Sequence, residues 1–443
     1  MPRNTLEELL ISADTPDHTC SISLCTTLPV YGTPLKNQKK IETKTPCRYR
    51  VYHQNKNLKC GPGRQEHSFV HPLRRSILLY YRNQQDTVMK LGIMGLPQVG
   101  KKTIFSLLTG MSVTPERSQK QGAGEGFAEI LDRRFDVLEK MYEPKKSVRA
   151  RINMELIPDL DSAAIRDGAI FRNIADAEAL CHVVRAFEDD AVYHVSGSVD
   201  AGRDIESINS ELVLHDLLFI EKRLERIAKQ KQKDPGLKTE EDLMLRFKDH
   251  LESDKPLRTL GVSDDERKLI SGYPFLTIKT MIAVLNVAEG DIGTTELQRS
   301  CEERFGESGM VFMTISARLE SEIAQLETEE EKSEFMTEAG IEEPALNLLT
   351  KLCMNALGLI SFFTVGKDEV RQWLIPAESL APEAAGAIHS DIQRGFIRAE
   401  VMKYDDLVEL GSEEGIKKAG RFHVMGKDYP VEDGDIINFR FNV

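Results

Sequence analysis

The sequence of 443 residues predicts an α/β fold with a parallel-rich sheet, an inserted helical hairpin and a C-terminal α+β module. Three observations support this prediction. Residues 89–110 combine a short apolar strand, a glycine-bracketed turn and a helix start. Residues 204–251 carry the apolar period of two long helices, and residues 361–443 change to short strands separated by turns. Apolar runs such as residues 281–286 are typical of strands buried on both faces of a parallel sheet.

The chain is too long for a single hydrophobic core, so we expect several domains. Residues 1–88 show no sustained helical or strand period, and we expect a disordered extension there. A natural start at Met89 and a basic arm for an anionic partner are two explanations of this extension. The remaining chain divides into a sheet domain, a helical arm and a closing module, with predicted bounds of 89–203 plus 272–360, 204–271 and 361–443.

The net charge of -13 is unevenly distributed along the chain. Residues 1–88 hold thirteen Lys and Arg against seven Asp and Glu, which leaves 45 basic and 64 acidic residues in the rest. Because an acidic body does not bind nucleic acid by bulk charge, we expect no DNA contact, and an RNA contact only through a local patch. The sequence has no membrane-spanning apolar run and no secretory signal, which predicts a cytoplasmic protein without a membrane partner.

The strongest motif is the glycine-bracketed turn after the first apolar strand. It has the pattern of a phosphate-binding loop (P-loop), in which backbone N–H groups surround a phosphate and a lysine neutralises its outer oxygens. The following helix directs its positive end at the same anion. A tight strand-to-helix turn without a ligand is the alternative interpretation. The residues predicted to bind phosphate are Gly95, Leu96, Pro97, Gln98, Val99, Gly100 and Lys101.

One position departs from the P-loop pattern. The motif places Ser or Thr after the lysine, where its hydroxyl binds Mg²⁺, but this chain has Lys102 there and Thr103 follows one residue late. We therefore predict nucleotide binding with doubtful Mg²⁺ chemistry. Lys102 and Thr103 are included in the predicted site, since the amine of Lys102 near the phosphates would replace part of the charge of the metal.

Polar residues at the ends of two later strands complete the candidate site. Asn286 ends the run 281–286, and Ser316 and Ala317 follow the apolar run 311–315. Ligands of open parallel sheets bind at the carboxyl ends of the strands, where Gly95 also lies. These side chains are therefore expected to meet beside the P-loop.

Together these segments resemble the Obg-like ATPase (YchF) family of P-loop proteins. The resemblance covers residues 89–443 and leaves the first 88 residues unmatched. Its closing part resembles the TGS domain of that family. The segments that carry it are Gly-Ile-Met-Gly-Leu-Pro-Gln-Val-Gly-Lys at 92–101, His-Val-Val-Arg-Ala-Phe at 182–187, Asp-Ile-Glu-Ser-Ile-Asn-Ser-Glu-Leu at 204–212, Ile-Ser-Phe-Phe-Thr at 360–364, Ala-Gly-Ala-Ile-His-Ser-Asp at 385–391, Gly-Phe-Ile-Arg-Ala-Glu-Val at 395–401 and Asp-Gly-Asp at 433–435.

The resemblance implies a nucleotide-binding α/β domain with a helical arm and a β-grasp TGS module. It also implies an ATP hydrolase that acts with the ribosome or RNA through the arm and the TGS domain. GTPases read guanine with Asn-Lys-x-Asp, whereas this chain has Asn286-Val287-Ala288-Glu289. The longer carboxylate of Glu289 and the absence of lysine weaken guanine selection, and the similar Asn-x-x-Glu of the family accompanies ATP. ATP is therefore the expected nucleotide, with GTP as the alternative.

The chain departs from the family in the switch region. Counting without gaps from Pro144 puts Leu156 at the aspartate that helps to hold Mg²⁺, and Asp159 at the glycine whose N–H contacts the terminal phosphate. The glycine-rich switch is shortened to residues 162–168, and Asp159 or Asp161 would replace the aspartate only after a register shift. Because the metal carries much of the charge stabilisation in phosphoryl transfer, we expect slow or absent hydrolysis, and no catalytic residue is assigned.

Two other functions remain open from the sequence. The first is a non-catalytic interaction module that uses the TGS domain and the arm without nucleotide. The second is a small-molecule kinase built on the P-loop, although no basic lid sequence accompanies the loop. Titration with ATP and GTP separates the interaction module from the nucleotide-binding protein.

Overall fold

Two six-stranded sheets organise the residues that the computed structural model describes, which are 89–112, 124–230, 237–339, 341 and 343–442. The predictions for residues 1–88 lie outside these ranges, and so does the turn expected between the two helices of the arm. Within the described ranges, every helix is too short or too polar to cross a lipid bilayer.

The strands of both sheets are numbered here in chain order. They are β1 Lys90–Met94, β2 Glu125–Glu129, β3 Lys146–Val148, β4 Arg151–Leu156, β5 Ala179–Arg185, β6 Thr280–Asn286, β7 Met310–Ile315, β8 Leu359–Thr364, β9 Glu369–Pro376, β10 Phe396–Lys403, β11 His423–Met425 and β12 Asp435–Phe441.

The α-helices are numbered in the same way. They are α1 Lys101–Thr109, α2 Arg133–Tyr142, α3 Ser162–Asp167, α4 Ile170–Asp176, α5 Ala201–Gln230, α6 Leu237–Glu252, α7 Asp264–Ile270, α8 Glu296–Phe305, α9 Ala317–Gln325, α10 Glu329–Glu338, α11 Ala345–Ala356, α12 Ala381–Ile388, α13 Ser390–Arg394, α14 Tyr404–Leu410 and α15 Glu413–Ala419.

The first sheet is the predicted parallel-rich sheet. Its order is β2-β4-β1-β5-β6-β7, and only β2 runs antiparallel to its neighbour. All seven residues of β5 are buried, as expected for a central strand covered on both faces. Because β4, β1, β5, β6 and β7 are parallel, their carboxyl ends lie at one edge, where Met94 precedes the P-loop and Asn286 ends β6.

The helical arm consists of α5 and α6, the two long helices expected from their apolar period. Their apolar stripes share a core that includes Ile220, Ile227 and Phe247, each fully buried. The carboxylate of Asp216, also fully buried, accepts hydrogen bonds from the backbone N–H groups of Leu276 at 3.0 Å and Thr277 at 2.8 Å. These bonds fix α5 to the segment that enters β6, so the arm is joined firmly to the sheet.

The second sheet has the order β11-β10-β12-β8-β9-β3. Strands β8 and β9 form the antiparallel hairpin that the sequence predicts around residues 366–368. The sheet begins at Leu359 and also takes the short strand β3 from the first half of the chain. Lys146, Ser147 and Val148 of β3 pair in parallel with the start of β9.

Helix α2 fastens the first half of the chain to the second sheet. Phe135 and Leu138 belong to a buried cluster that includes Phe363 of β8. The Arg134 guanidinium contacts Asp433 at 2.8 Å, and the other carboxylate oxygen of Asp433 accepts the backbone N–H of Ser361 at 2.9 Å. The Asp-Gly-Asp segment before β12 is therefore held by α2 as well as by its own sheet.

Candidate nucleotide-binding site

Both glycines of the P-loop are required by their neighbours. A Cβ at Gly95 would lie 2.4 Å from the carbonyl oxygen of Val183 in β5. Gly100 adopts φ 93°, and a Cβ there would lie 2.3 Å from Nδ2 of Asn286. Such distances are shorter than real contacts, so only glycine fits at either position. The glycine spacing that predicts the P-loop thus has a direct steric cause.

Lys101 is the buried cation of the site. It is the first residue of α1 and only 2 % exposed. Its Nζ donates to the carbonyl oxygen of Gly95 at 3.1 Å and lies 2.9 Å from Oδ1 of Asp159. Burial lowers the pKa of Lys101 to about 8, although Asp159 acts in the opposite direction. The amine therefore lies beneath the turn, where the P-loop motif requires it.

Helix α1 begins directly after the P-loop. Its N-cap residue is Gly100, which has no side chain with which to cap the first turn. The first turn also has no acidic residue. The N–H groups at a helix start lack intrahelical partners and carry a partial positive charge. An anion at this point would therefore be stabilised by the backbone and by Lys101 together.

The other loop residues divide into buried and exposed positions. Val99 is buried and Leu96 nearly so, whereas Pro97 is half-buried and Gln98 is exposed with φ 60°. Lys102 and Thr103 are exposed, and the positive charge of Lys102 contributes to the lowered pKa of Lys101. Lys102 is thus close enough to influence the buried amine electrostatically. The structure brings all nine predicted loop residues to one edge of the sheet.

Asn286 joins the P-loop to the start of α9. Its Nδ2 donates to the carbonyl oxygen of Val99 at 3.0 Å, and its Oδ1 accepts the backbone N–H of Ala317 at 3.0 Å. Ser316 caps the same helix by accepting the N–H of Leu319. The three predicted strand-end residues therefore meet at the P-loop, and Asn286 contacts both neighbouring loops.

Glu289 lies at the rim of the same site. It begins a short 3₁₀ turn, Glu289–Asp291, and its carboxylate lies 2.7 Å from Nε of Arg318. Arg318 directly follows Ala317 but belongs to none of the motifs, so the sequence did not single it out. A nucleotide base near Glu289 would therefore also be near the guanidinium of Arg318.

The switch region does not provide the usual magnesium ligands. Leu156 is a buried apolar residue at the end of β4, and Lys102 replaces the hydroxyl of the P-loop. Asp161 caps α3 by accepting the N–H groups of Ala163 and Ala164, and Asp159 is paired with Lys101. No group of three or more His, Cys, Asp or Glu within the described ranges is arranged to hold a metal ion. These side chains do not fit a protein-held Mg²⁺ of the usual P-loop kind.

A buried histidine lies beneath the P-loop. His182 of β5 pairs in register with Met94 and is 1 % exposed. Burial, together with the positive charge of Lys101, lowers the pKa of His182 to about 4. Its Nδ1 has no hydrogen-bond partner in the described part of the chain. His182 is therefore neutral at physiological pH, and Lys101 is the buried cation beneath the loop.

Comparison with known proteins identifies the family. The family model YchF-GTPase_C, described as "Protein of unknown function (DUF933)", matches residues 359–442. The chain is 40% identical over 363 residues to "Ribosome-binding ATPase YchF" of Bacillus subtilis (strain 168), and the match covers 80% of this chain and 99% of the relative. It is 36% identical over 369 residues to "Obg-like ATPase 1" of Oryza sativa subsp. japonica, and this match covers 80% of this chain and 92% of the relative.

A solved structure agrees with these sequence matches. The YchF GTPase of Schizosaccharomyces pombe is similar with a TM-score of 0.67 and 30% sequence identity, covering 80% of this chain and 98% of that chain. The resemblance seen in the P-loop, the arm and the closing segments is therefore confirmed over most of the chain. On these matches, the chain belongs to the YchF family of P-loop proteins.

Proposed function

We propose that this chain binds ATP through the P-loop and acts as a ribosome-associated regulator. The observation that carries the proposal is the buried amine of Lys101 beneath a glycine-bracketed turn, next to a helix start whose N-cap residue, Gly100, has no side chain. A phosphate in this turn would meet backbone N–H groups and a cation in a site of low exposure. The ribosome is proposed because the Bacillus subtilis relative is named a ribosome-binding ATPase.

The choice of ATP over GTP rests on the base-reading residues. Asn286 and Glu289 occupy the place of the Asn and Asp with which GTPases read guanine. The carboxylate of Glu289 is paired with Arg318, so it is less available to accept the two guanine hydrogen bonds. GTP is the second candidate, since the solved Schizosaccharomyces pombe relative is named a GTPase.

We infer that hydrolysis is weak or absent. Lys102 and Leu156 replace two residues that normally help to hold Mg²⁺, and Asp161 caps a helix instead. Without these holders, the developing charge on a transferred phosphoryl group has fewer positioned partners. The chain would then signal by nucleotide binding rather than by turnover.

A groove between β4 and β9 is the proposed contact with ribosomal RNA. Its volume is about 830 Å³, and Arg149, Arg151, Arg371 and Trp373 are among the residues that line it. The guanidinium of Arg371 lies 4.1 Å from the centre of the Trp373 ring. Basic and aromatic side chains together are the usual surface for single-stranded nucleic acid. Glu129 and Glu139 also line the groove, and Arg149 and Arg151 are paired with Asp136 and Glu129. The proposed RNA contact therefore rests on Arg371 beside Trp373.

The proposed ATP site is tested with Lys101→Ala. We expect this change to remove ATP binding, because it deletes the cation beneath the turn. Calorimetric titration of the full chain with ATP and GTP, with Mg²⁺ and with a chelator, measures the affinity. The matched control is Lys140→Ala, which removes an exposed lysine of α2. Equal ATP affinity of Lys101→Ala and the wild type would refute the site, and no binding by the wild type would favour the interaction module.

A further inference from the structure

The amine proposed to contact the nucleotide already has an anionic partner. The Nζ of Lys101 lies 2.9 Å from Oδ1 of Asp159, and the side chain of Asp159 is 35% exposed against 3% for Lys101. A carboxylate and a phosphate oxygen make the same kind of charge-assisted hydrogen bond to an ammonium group. Asp159 therefore takes a position on Lys101 that a phosphate of the nucleotide would also require.

Asp159 is held in this position by the backbone on both sides. The N–H of Ile157 donates to the carbonyl oxygen of Ile93 at 2.9 Å, and the N–H of Leu160 donates to that of Gly95 at 3.1 Å. Ile157 and Leu160 are also buried in the core. The segment after β4 is thus fixed to β1 and to the P-loop, and Asp159 lies between its two fixed points.

The same position has a defined role in the family pattern. Counted without gaps, Asp159 stands at the glycine whose N–H contacts the terminal phosphate. We propose that Asp159 is an internal substitute for the terminal phosphate, so that this P-loop binds nucleoside diphosphates in preference to triphosphates. Because the carboxylate and a terminal phosphate are both anions near one cation, they repel each other. A diphosphate avoids this repulsion. The inference rests on the proposed function, since it requires nucleotide phosphates in the P-loop.

A different role for Asp159 would have the opposite effect. If its carboxylate held Mg²⁺ beside the phosphates, its removal would weaken ATP binding and abolish any effect of the metal. If it competes with the terminal phosphate, its removal strengthens ATP binding without metal. The sign of the change in ATP affinity therefore distinguishes the two roles.

The test compares ATP with ADP on the full chain. Calorimetric titrations, each made without and with Mg²⁺, use the wild type, Asp159→Asn, Asp159→Gly and the control Asp167→Asn, an exposed aspartate at the end of α3. Without Mg²⁺, we expect both Asp159 variants to bind ATP roughly tenfold more tightly or better, with ADP affinity changed by less than about threefold. The control is expected to leave both affinities unchanged.

The outcomes that overturn the proposal are distinct. If the wild type binds nucleotide but neither Asp159 variant changes the ratio of ATP affinity to ADP affinity, the role of Asp159 is refuted while the proposed nucleotide site is not. Loss of ATP affinity in Asp159→Asn, together with loss of a magnesium effect, would assign the carboxylate to the metal. Absence of nucleotide binding by the wild type and by both variants would refute the proposed function, and this inference with it. Thermal unfolding by circular dichroism establishes that each variant is folded.

Discussion

At the scale of single residues, the site depends on one buried lysine and the groups around it. The motif predicts Gly95, Gly100 and Lys101, because a strand, a tight turn and a helix start are defined by neighbouring residues. The ion pair with Asp159 does not follow from the sequence. It depends on which residue after β4 faces the P-loop, and that is decided by hydrogen bonds to β1 and to Gly95. The meeting of the strand ends at the P-loop could be predicted from the general rule for parallel sheets, whereas the pairing of one side chain in the irregular segment after β4 could not.

The lowered pKa of Lys101 predicts how nucleotide affinity depends on pH. The pKa is about 8 without ligand, and bound phosphate would raise it, because an anion favours the charged amine. Besides Asp159, the charged groups that act on Lys101 are Asp161 and Lys102, while His182 is neutral at this pH. ATP affinity should therefore be constant below pH 8 and fall by up to about tenfold per pH unit above it.

This pH dependence is measured by titrating the protein with ATP between pH 7 and 9.5. Lys101→Arg is the matched control, because a guanidinium stays charged over this whole range. The variant is expected to bind ATP with an affinity that no longer depends on pH. A wild-type affinity that is unchanged up to pH 9.5 would show that the amine of Lys101 does not control binding.

At the scale of secondary structure, the apolar period predicts the long elements well. The buried strand β6 and the helices α5 and α6 agree with the predicted positions within a few residues. The three-residue strand β3 has no pattern of its own, and its partner in β9 lies more than 200 residues away. Its position follows from the packing of α2 against the second sheet. A strand this short cannot be recognised from its own residues.

The groove between β4 and β9 gives the prediction at this scale. Arg371→Glu is expected to lower co-sedimentation with ribosomes roughly tenfold at low salt and less at high salt, because it removes a positive charge and its contact with Trp373. Arg299→Glu on α8 makes the same change at an exposed site outside the groove. Co-sedimentation that falls equally in both variants, or in neither, would contradict a specific role of the groove.

At the scale of the whole molecule, two elements from the first half of the chain join the second sheet. Helix α2 packs against it, and β3 pairs with its strand β9. The predicted architecture, with a P-loop sheet, a helical arm and a closing module, agrees with the structure. The boundary of the closing module at residue 361 remains a prediction, since its sheet starts at Leu359 and includes β3. The sequence could not show that β3 joins the second sheet, because a hydrophobic pattern identifies an element but not the distant element with which it pairs.

The shared cluster predicts that a change in α2 destabilises the second sheet. Phe135→Ala should lower the free energy of unfolding by about 3–5 kcal/mol, because it leaves a cavity beside Phe363. Trp373 is the single tryptophan of the chain and lies in β9, so its fluorescence reports on this sheet. The midpoint of denaturation is measured in guanidinium chloride.

The control for this change is Val137→Ala on the same helix, where the side chain is 36% exposed. This variant is expected to shift the midpoint much less than Phe135→Ala. Equal midpoints for Phe135→Ala and the wild type would mean that α2 does not support the second sheet.

The position of β3 also bears on how the protein is made. During synthesis from the N-terminus, Lys146–Val148 leave the ribosome long before their partner strand β9 has been translated. The apolar side of α2 likewise stays uncovered until Phe363 and its neighbours have been translated. The nascent chain must therefore carry an exposed strand edge and an uncovered helix face while more than 200 further residues are added. Folding of the second sheet is consequently among the last events, and until then β3 and the apolar face of α2 remain uncovered.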